Sequence, residues 1–259
     1  MVRQRSLQNG NSGSLRVTSF LHTGQRSAGL ALRGIHFIVD VTHASRMMPV
    51  MQSVTAFVLA GGKSSRMRRD KAGLVLAGKT LLERAVQTAR AAGAQVCIVG
   101  AGQALHDMAA RLTCSTVGDA FPGQGPLAGI HAALASAHAG QVNFILAVDI
   151  PFVTAALLQF VLSRAKESGA LATLPHAAGR IHPLCAVYRR EFAAAAQQAL
   201  AEGNNKIEAA LHGQTVEIIG EAELVRRGFH AAMLANLNTP EEFAEAERRV
   251  GCPQPAKAL

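Results

Sequence analysis

The stretch Val54-Thr55-Ala56-Phe57-Val58-Leu59-Ala60-Gly61-Gly62-Lys63-Ser64-Ser65-Arg66-Met67-Arg68-Arg69-Asp70-Lys71 decides how this chain is read. The apolar run over 54–59 predicts a buried strand, which stops in two glycines before five cations follow: Lys63, Arg66, Arg68, Arg69 and Lys71. Gly61 and Gly62 lack a Cβ, so the backbone can take positive φ and an anion can come within hydrogen-bonding distance of its amides. A nest of amide N–H groups carries partial positive charge, Arg adds a planar fork for two parallel phosphate contacts, and Lys adds a compact point charge. Strand, bare turn and cations in this order predict a polyphosphate cradle. The plainer alternative is a glycine turn leading into a solvated basic loop.

Outward from the cradle, short apolar runs alternate with amphipathic stretches. Strands are expected over 96–99, 143–148, 170–174, 183–188 and 216–219. Leu81, Leu82, Ala85, Val86 and Ala89 mark a helix by their spacing, and further helices are expected over 127–139, 155–165 and 192–200. Thr239-Pro240-Glu241-Glu242 supplies a capping hydroxyl, a proline at the first helical position and acids in the first turn, so a last helix runs from there to about residue 250. The alternation predicts an α/β fold with a Rossmann-like, doubly wound, mostly parallel sheet.

In such sheets ligands bind off the carboxyl ends of the strands. Three features fall there: the Gly61-Gly62 loop, Asp119 after the segment 115–118, and Asp149 after the apolar run 144–148. Asp149, followed closely by Pro151, is placed to hold a hard cation, and Mg²⁺ suits one carboxylate supplemented by substrate phosphates. A turn or cap role is the simpler reading of a lone Asp. Asp119 opens Phe121-Pro122-Gly123-Gln124-Gly125-Pro126, a loop whose composition suits close approach of a flat base or a second substrate, or an ordinary connection.

Composition bounds the rest. The 259 residues, 49% hydrophobic and 17% charged, suffice for one sizeable domain. The net charge of +9 is uneven: residues 1–50 hold six arginines against Asp40, a net +5, which leaves +4 for all that follows. With aromatic content of 4%, a diffuse nucleic-acid surface is not expected. Residues 1–50 are rich in Ser, Gly, Gln and Arg and read as a disordered extension, either a targeting segment or a mis-assigned start given Met47, Met48 and Met51, the latter being favoured. The expected organisation is therefore this extension, a single domain over 51–252 and a tail over 253–259. Cys97, Cys114, Cys185 and Cys252 show no metal or redox spacing and read as buried thiols in a reducing cytoplasm. No run of 18 apolar residues predicts a membrane span.

One competing motif is Gly73-Leu74-Val75-Leu76-Ala77-Gly78-Lys79-Thr80, which matches the Walker A pattern of P-loop NTPases. Such a loop should follow a buried strand, whereas residues 63–72 are mostly polar and basic, and its variable positions are apolar as in a short buried strand.

Taken together, the segment 59–71, Gly125-Pro126-Leu127-Ala128-Gly129, Val148-Asp149-Ile150-Pro151, His182-Pro183 and Asn236-Leu237-Asn238-Thr239-Pro240-Glu241-Glu242 resemble the molybdenum cofactor guanylyltransferases over roughly residues 54–250. The resemblance implies the nucleotide-diphospho-sugar transferase type of sheet and Mg²⁺-dependent transfer of GMP from GTP to the phosphate of molybdopterin. Pyrophosphate leaves, the guanine dinucleotide cofactor forms, and molybdoenzymes or their chaperones are candidate recipients. It implies that Leu59, Ala60 and Gly61, with Gly62 in the same turn, meet guanine and ribose. Arg66 and Lys71 would hold phosphates, Asp119 the nucleotide and Asp149 the Mg²⁺, while Asn236, Asn238 and His182 would lie toward the pterin. Two positions depart from the family pattern: Arg68 stands where a glycine is usual, and Gly100 where asparagine is common. The rivals are a cytidylyl- or sugar-phosphate nucleotidyltransferase of the same fold and a non-catalytic nucleotide or pterin carrier.

Overall fold

In the computed structural model, which describes residues 54–61, 71–118 and 120–251, the opening apolar run becomes β1, Thr55–Leu59, buried at every position. A hairpin of β2 (Val75–Leu76) and β3 (Lys79–Thr80) follows, then α1 (Leu81–Ala91), β4 (Gln95–Val99), α2 (Gln103–Arg111) and β5 (Ser115–Val117). The second half runs α3 (Pro126–Ala135), β6 (Val142–Ala147), α4 (Ala155–Ser168), β7 (Ala172–Ala177), β8 (Arg180–Ile181) and β9 (Cys185–Arg189). It ends in α5 (Phe192–Ala201), α6 (Ile207–Leu211), β10 (Val216–Ile219), α7 (Glu221–Arg226) and α8 (Pro240–Gly251). All these elements lie in one unit, Met48–Leu259.

The main sheet has the order β10-β7-β9-β6-β1-β4-β5, with β8 paired to β7. β1 pairs in parallel with β4 and β6, β4 with β5, and β7 with β10. β9 is the exception, antiparallel to both β6 and β7. Only Ala178 and Gly179 separate β7 from β8, too few for the crossover that a parallel strand needs, so the chain folds back there and β8 and β9 both run against β7. The sheet is thus mostly parallel, as expected, with one reversed strand near its middle.

Alternating side chains divide between two cores, because successive Cβ atoms point to opposite faces of a strand. Ala56 and Val58 of β1, Ile98 of β4, and Phe144 and Leu146 of β6 pack with α1 and α4. Phe57 and Leu59, Cys97 and Val99, and Ile145 pack on the other face with α3 and α5. Phe57 is fully buried, and Phe57→Ala would cost about 3–5 kcal/mol through lost transfer energy and the cavity left behind. Local signals fix the helices to this frame. Thr80 caps α1 by accepting from the Glu83 amide at 3.1 Å while the Glu83 carboxylate accepts from the Thr80 amide at 2.7 Å.

Strands β1, β4, β6, β7, β9 and β10 fall on the expected runs, and helices α1, α3, α4, α5 and α8 on the expected stretches. α2, α6 and α7 were not anticipated. α2 buries only Leu105 and Ala109, and α6 and α7 are about one and a half turns long, so their apolar periodicity is weak. The Walker-like segment is the β2–β3 hairpin with Ala77-Gly78 at its turn, not a loop between a sheet strand and a helix. Lys79 donates to Gln87 on the exposed side of α1 at 2.8 Å, and Thr80 is occupied as the cap. The P-loop reading fails on this geometry. Expectations for residues 1–50 and 253–259 fall outside the described residues.

Candidate functional site

β1 and β6 run side by side with Leu59 opposite Ala147, so Gly61 and Asp149, each two residues further on, leave the sheet at the same edge. The ladder closes with the Ala60 amide donating to the Val99 carbonyl at 2.9 Å and the Val148 amide to the Leu59 carbonyl at 3.1 Å. Beyond those bonds the chain turns out of the sheet, and Gly61 is exposed.

Asp149 is the centre of a polar network that joins four distant segments. Its Oδ2 accepts from Lys71 Nζ at 2.8 Å, and its Oδ1 accepts from Asn236 Nδ2 at 3.4 Å. Lys71 also donates to Asn238 Oδ1 at 2.9 Å, and Arg180 Nη2 donates to Asn236 Oδ1 at 3.2 Å. An ammonium and a guanidinium only donate and a carboxylate only accepts, so both asparagine amides have one possible orientation here. The Lys71 and Asp149 side chains keep only 18% and 16% of their surface, enough shielding to strengthen the pair over a fully solvated one.

Each partner is held by local structure. Lys71 opens a 3₁₀ turn, Lys71–Gly73, whose Ala72 is buried against the core. Asn236 and Asn238 flank Leu237, whose amide donates to the Asp149 carbonyl at 2.8 Å and whose side chain is buried. Thr239 then caps α8 by accepting from the Glu242 amide at 3.2 Å, while the Glu242 carboxylate accepts from the amides of Asn238 and Thr239. The cap read from the sequence therefore also sets the backbone beside Asn238. Arg249 of α8 stacks on Phe152 at 4.2 Å from the ring centroid and donates to the Ala232 carbonyl, tying the segments after Asp149 and before Asn236 to the same helix.

The structure brings together Lys71, Asp149, Asn236 and Asn238 from the predicted set, with Gly61 on the same sheet edge. Gly62, Arg66 and Asp119 lie outside the described residues. Leu59 and Ala60 are buried, and the Leu59 side chain points away from the edge into the core beneath Gly129 of α3. Gly61 does not use left-handed φ; its neighbour Gly100 carries the tighter constraint. A Cβ on Gly100 would approach Leu105 Cδ2 to 2.4 Å and the Gly61 amide nitrogen to 3.2 Å, so the glycine here lets the two backbones lie close at the sheet edge. α3 starts at Gly125 with no side chain capping its amides and Pro126 at its first position.

His182 is 5% exposed, and its Nε2 faces the Ala177 carbonyl at 3.1 Å, inside the turn rather than on Asp149. Burial pushes its pKa down, aided by the Arg180 and His176 charges, with the hydrogen bond to the Ala177 carbonyl and the Glu221 charge opposing. Arg180 was missed by sequence reasoning although it stands two residues before the quoted His182-Pro183. Among the described residues no group of three or more His, Cys, Asp or Glu side chains is placed to hold a metal. Asp149 with the Asn238 oxygen offers hard-oxygen ligands, the kind Mg²⁺ takes when phosphates and water complete its shell. Lys71 Nζ touches Asp149 Oδ2 and Asn238 Oδ1, so a cation already has a seat between them.

Comparison with known proteins gives a consistent result. The family described as MobA-like NTP transferase domain matches residues 56–217. A probable molybdenum cofactor guanylyltransferase of Opitutus terrae is 40% identical over 202 residues, 74% of this chain and 93% of that protein. A probable molybdenum cofactor guanylyltransferase of Carboxydothermus hydrogenoformans is 34% identical over 193 residues, 74% of this chain and 94% of that protein. Among solved structures, molybdopterin-guanine dinucleotide biosynthesis protein A from Archaeoglobus fulgidus superposes with a TM-score of 0.67 at 26% identity, covering 76% of this chain and 98% of that one.

Proposed function

Because the chain belongs to the MobA-like NTP transferase family and is a nucleotidyltransferase of molybdenum cofactor biosynthesis, we propose that it transfers GMP from GTP to the terminal phosphate of molybdopterin, with Mg²⁺ as cofactor. The supporting observation is the convergence of Lys71, Asp149, Asn236 and Asn238 at the carboxyl edge of β1 and β6. A site that joins two phosphates must first bring two anions together, and a lysine poised on a carboxylate at the phosphate edge meets that need.

In this reading an acceptor phosphate oxygen attacks the α-phosphorus of GTP in line. The new P–O bond forms as the bond from α-phosphorus to the bridging oxygen breaks, and pyrophosphate departs with the electron pair. The phosphate oxygen is already ionised, so no general base is needed. Lys71 exchanges its contact with Asp149 for one with the triphosphate and stabilises the charge that collects on pyrophosphate. Asp149, oriented by Asn236, would hold Mg²⁺ together with the Asn238 carbonyl. Bound Mg²⁺ supplies Lewis-acid neutralisation of the phosphates. Arg66 and Asp119 act on the phosphates and the nucleotide, the Gly61-Gly62 turn approaches the base and ribose, and His182 lies toward the pterin side.

The test is a nucleotide panel of GTP, CTP and ATP with molybdopterin, with and without Mg²⁺, reading pyrophosphate and dinucleotide together. GTP with Mg²⁺ is expected to give both products. Preferential use of CTP would reassign the protein as a cytidylyltransferase, and tight binding without pyrophosphate would make it a carrier.

A further inference from the structure

The network around Asp149 ends in a second cation that has most of its binding capacity unspent. Arg180 has five N–H donors and gives one nitrogen to Asn236 Oδ1; among the described residues it enters no ion pair. Other arginines of the fold are committed elsewhere. Arg164 faces three glutamates, Arg190 donates to the Ser136 and Ala139 carbonyls, and Arg249 is held between Phe152 and the Ala232 carbonyl.

Arg180 is delivered by a stiff device. β7 and β8 pair with Ala177 opposite Arg180, leaving the two-residue turn Ala178-Gly179 with φ of 50° and 73°, the left-handed pair that a tight hairpin requires. Glu221 accepts from the Ala178 amide at 3.1 Å and pins that turn from behind. Along the network the order is Lys71, Asp149, Asn236, Arg180, so two cations flank the carboxylate, one directly and one through an amide.

We propose that Arg180 binds the phosphate monoester of the acceptor while Lys71 serves the nucleotide triphosphate, so that each reacting anion has its own cation. The inference rests on the nucleotidyl-transfer reading above and specifies the acceptor side of that site. An exposed guanidinium with an open fork suits a phosphate dianion, which accepts two parallel N–H bonds. Its bond to Asn236 holds the fork on the side of the network away from Lys71. A role confined to orienting Asn236 makes a different forecast, because glutamine can donate to that amide without charge.

The experiment is steady-state pyrophosphate release by the full chain with GTP and Mg²⁺, titrating molybdopterin. Arg180→Gln is expected to raise the molybdopterin KM on the order of tenfold or more, with the GTP KM within about twofold and an unchanged melting profile. Arg180→Lys should fall between Gln and wild type, since it keeps charge and loses the fork. An unchanged acceptor KM, a loss confined to kcat, or a rise in the GTP KM alone would overturn the assignment. Should Arg180→Gln not fold, inorganic phosphate as a competitor of molybdopterin decides: it must inhibit Arg180→Lys more weakly than wild type, and equal inhibition sinks the proposal. A wild type that releases no pyrophosphate with any nucleotide defeats the transfer reading itself; direct titration of molybdopterin into wild type and Arg180→Gln then judges Arg180 separately, equal affinities overturning it.

Discussion

Two clusters of charge occupy this fold, and they are built on opposite principles. Around Arg164, one guanidinium on α4 faces three carboxylates, Glu167 of the same helix, Glu217 of β10 and Glu223 of α7. Its charge is outnumbered by acids, and the pairs stitch α4, β10 and α7 together. Around Asp149 the ratio is inverted: one carboxylate is shared among Lys71, Asn236 and, through that amide, Arg180. Excess acid around a cation makes a brace. Excess cation around one acid, at the end of parallel strands, is the arrangement the proposed function uses to receive anions. The two share α7, where Glu223 joins the brace and Glu221 pins the turn that carries Arg180.

The contrast is sharpest under truncation. Asp149→Ala and Lys71→Ala should each lower pyrophosphate release on the order of 10²- to 10³-fold, the usual cost of losing one preorganised charged partner, with folding preserved. Circular dichroism and turnover together check this. A loss under tenfold in either variant would mean the network is only a second brace, and the comparison would dissolve.

Arg164→Ala should do the reverse. The pairs are partly exposed, so their net worth is modest and salt-dependent, and the melting temperature should fall by roughly a few degrees at low salt and less at high salt. Turnover at a temperature where the protein is folded should stay within about twofold of wild type. A large loss of turnover without loss of stability would show that α7 transmits force to the acceptor side.

How much of this was legible depended on whether the signal was local. β1 could be read because both its faces are covered and the run is continuously apolar; the α8 cap could be read because Thr239, Pro240 and Glu242 act within one turn. Lys71 and Asp149 were identified separately, by a cradle argument and a strand-end argument, but their 2.8 Å contact spans 78 residues, and nothing in local sequence encodes it. β9 was expected as a strand without its direction. The tight turn at Ala178-Gly179 is the signal that reverses it, and it was not weighed. Arg180 escaped for a related reason: its importance comes from Asn236, 56 residues away, rather than from its neighbours. Leu59 shows a different limit, since its place at a strand end beside a glycine turn did not reveal that its side chain packs in the core.

His182 sits at the border of the two clusters, beside Arg180 yet facing the turn that Glu221 pins, and its titration gives a smaller effect. Burial lowers its folded pKa below the ordinary 6.5 while the unfolded chain keeps that value. Above about pH 6.5 both states are neutral and the residue adds no pH dependence; as pH falls through that value the unfolded chain takes the proton first, so stability drops until the folded state also protonates. Thermal melts at about pH 7.5 and 5.5 should show a larger acid loss for wild type than for His182→Asn. Equal losses would mean that the ring is hydrated and belongs to the open anion edge rather than to the hairpin.

The smallest effect belongs to the lysine that a pattern search would rank first. Lys79 sits in the Walker-like segment, but the hairpin turns it onto Gln87 along the exposed side of α1, and an exposed side-chain bond of this kind contributes little. Lys79→Ala should leave turnover within about twofold and the melting temperature nearly unchanged. Lys71, eight residues earlier, carries the same charge against Asp149 and should behave as a phosphate ligand when replaced. A reversed order, with Lys79 severe and Lys71 mild, would move the anion site from the β1–β6 edge to the hairpin and leave Asp149 with only a structural partner.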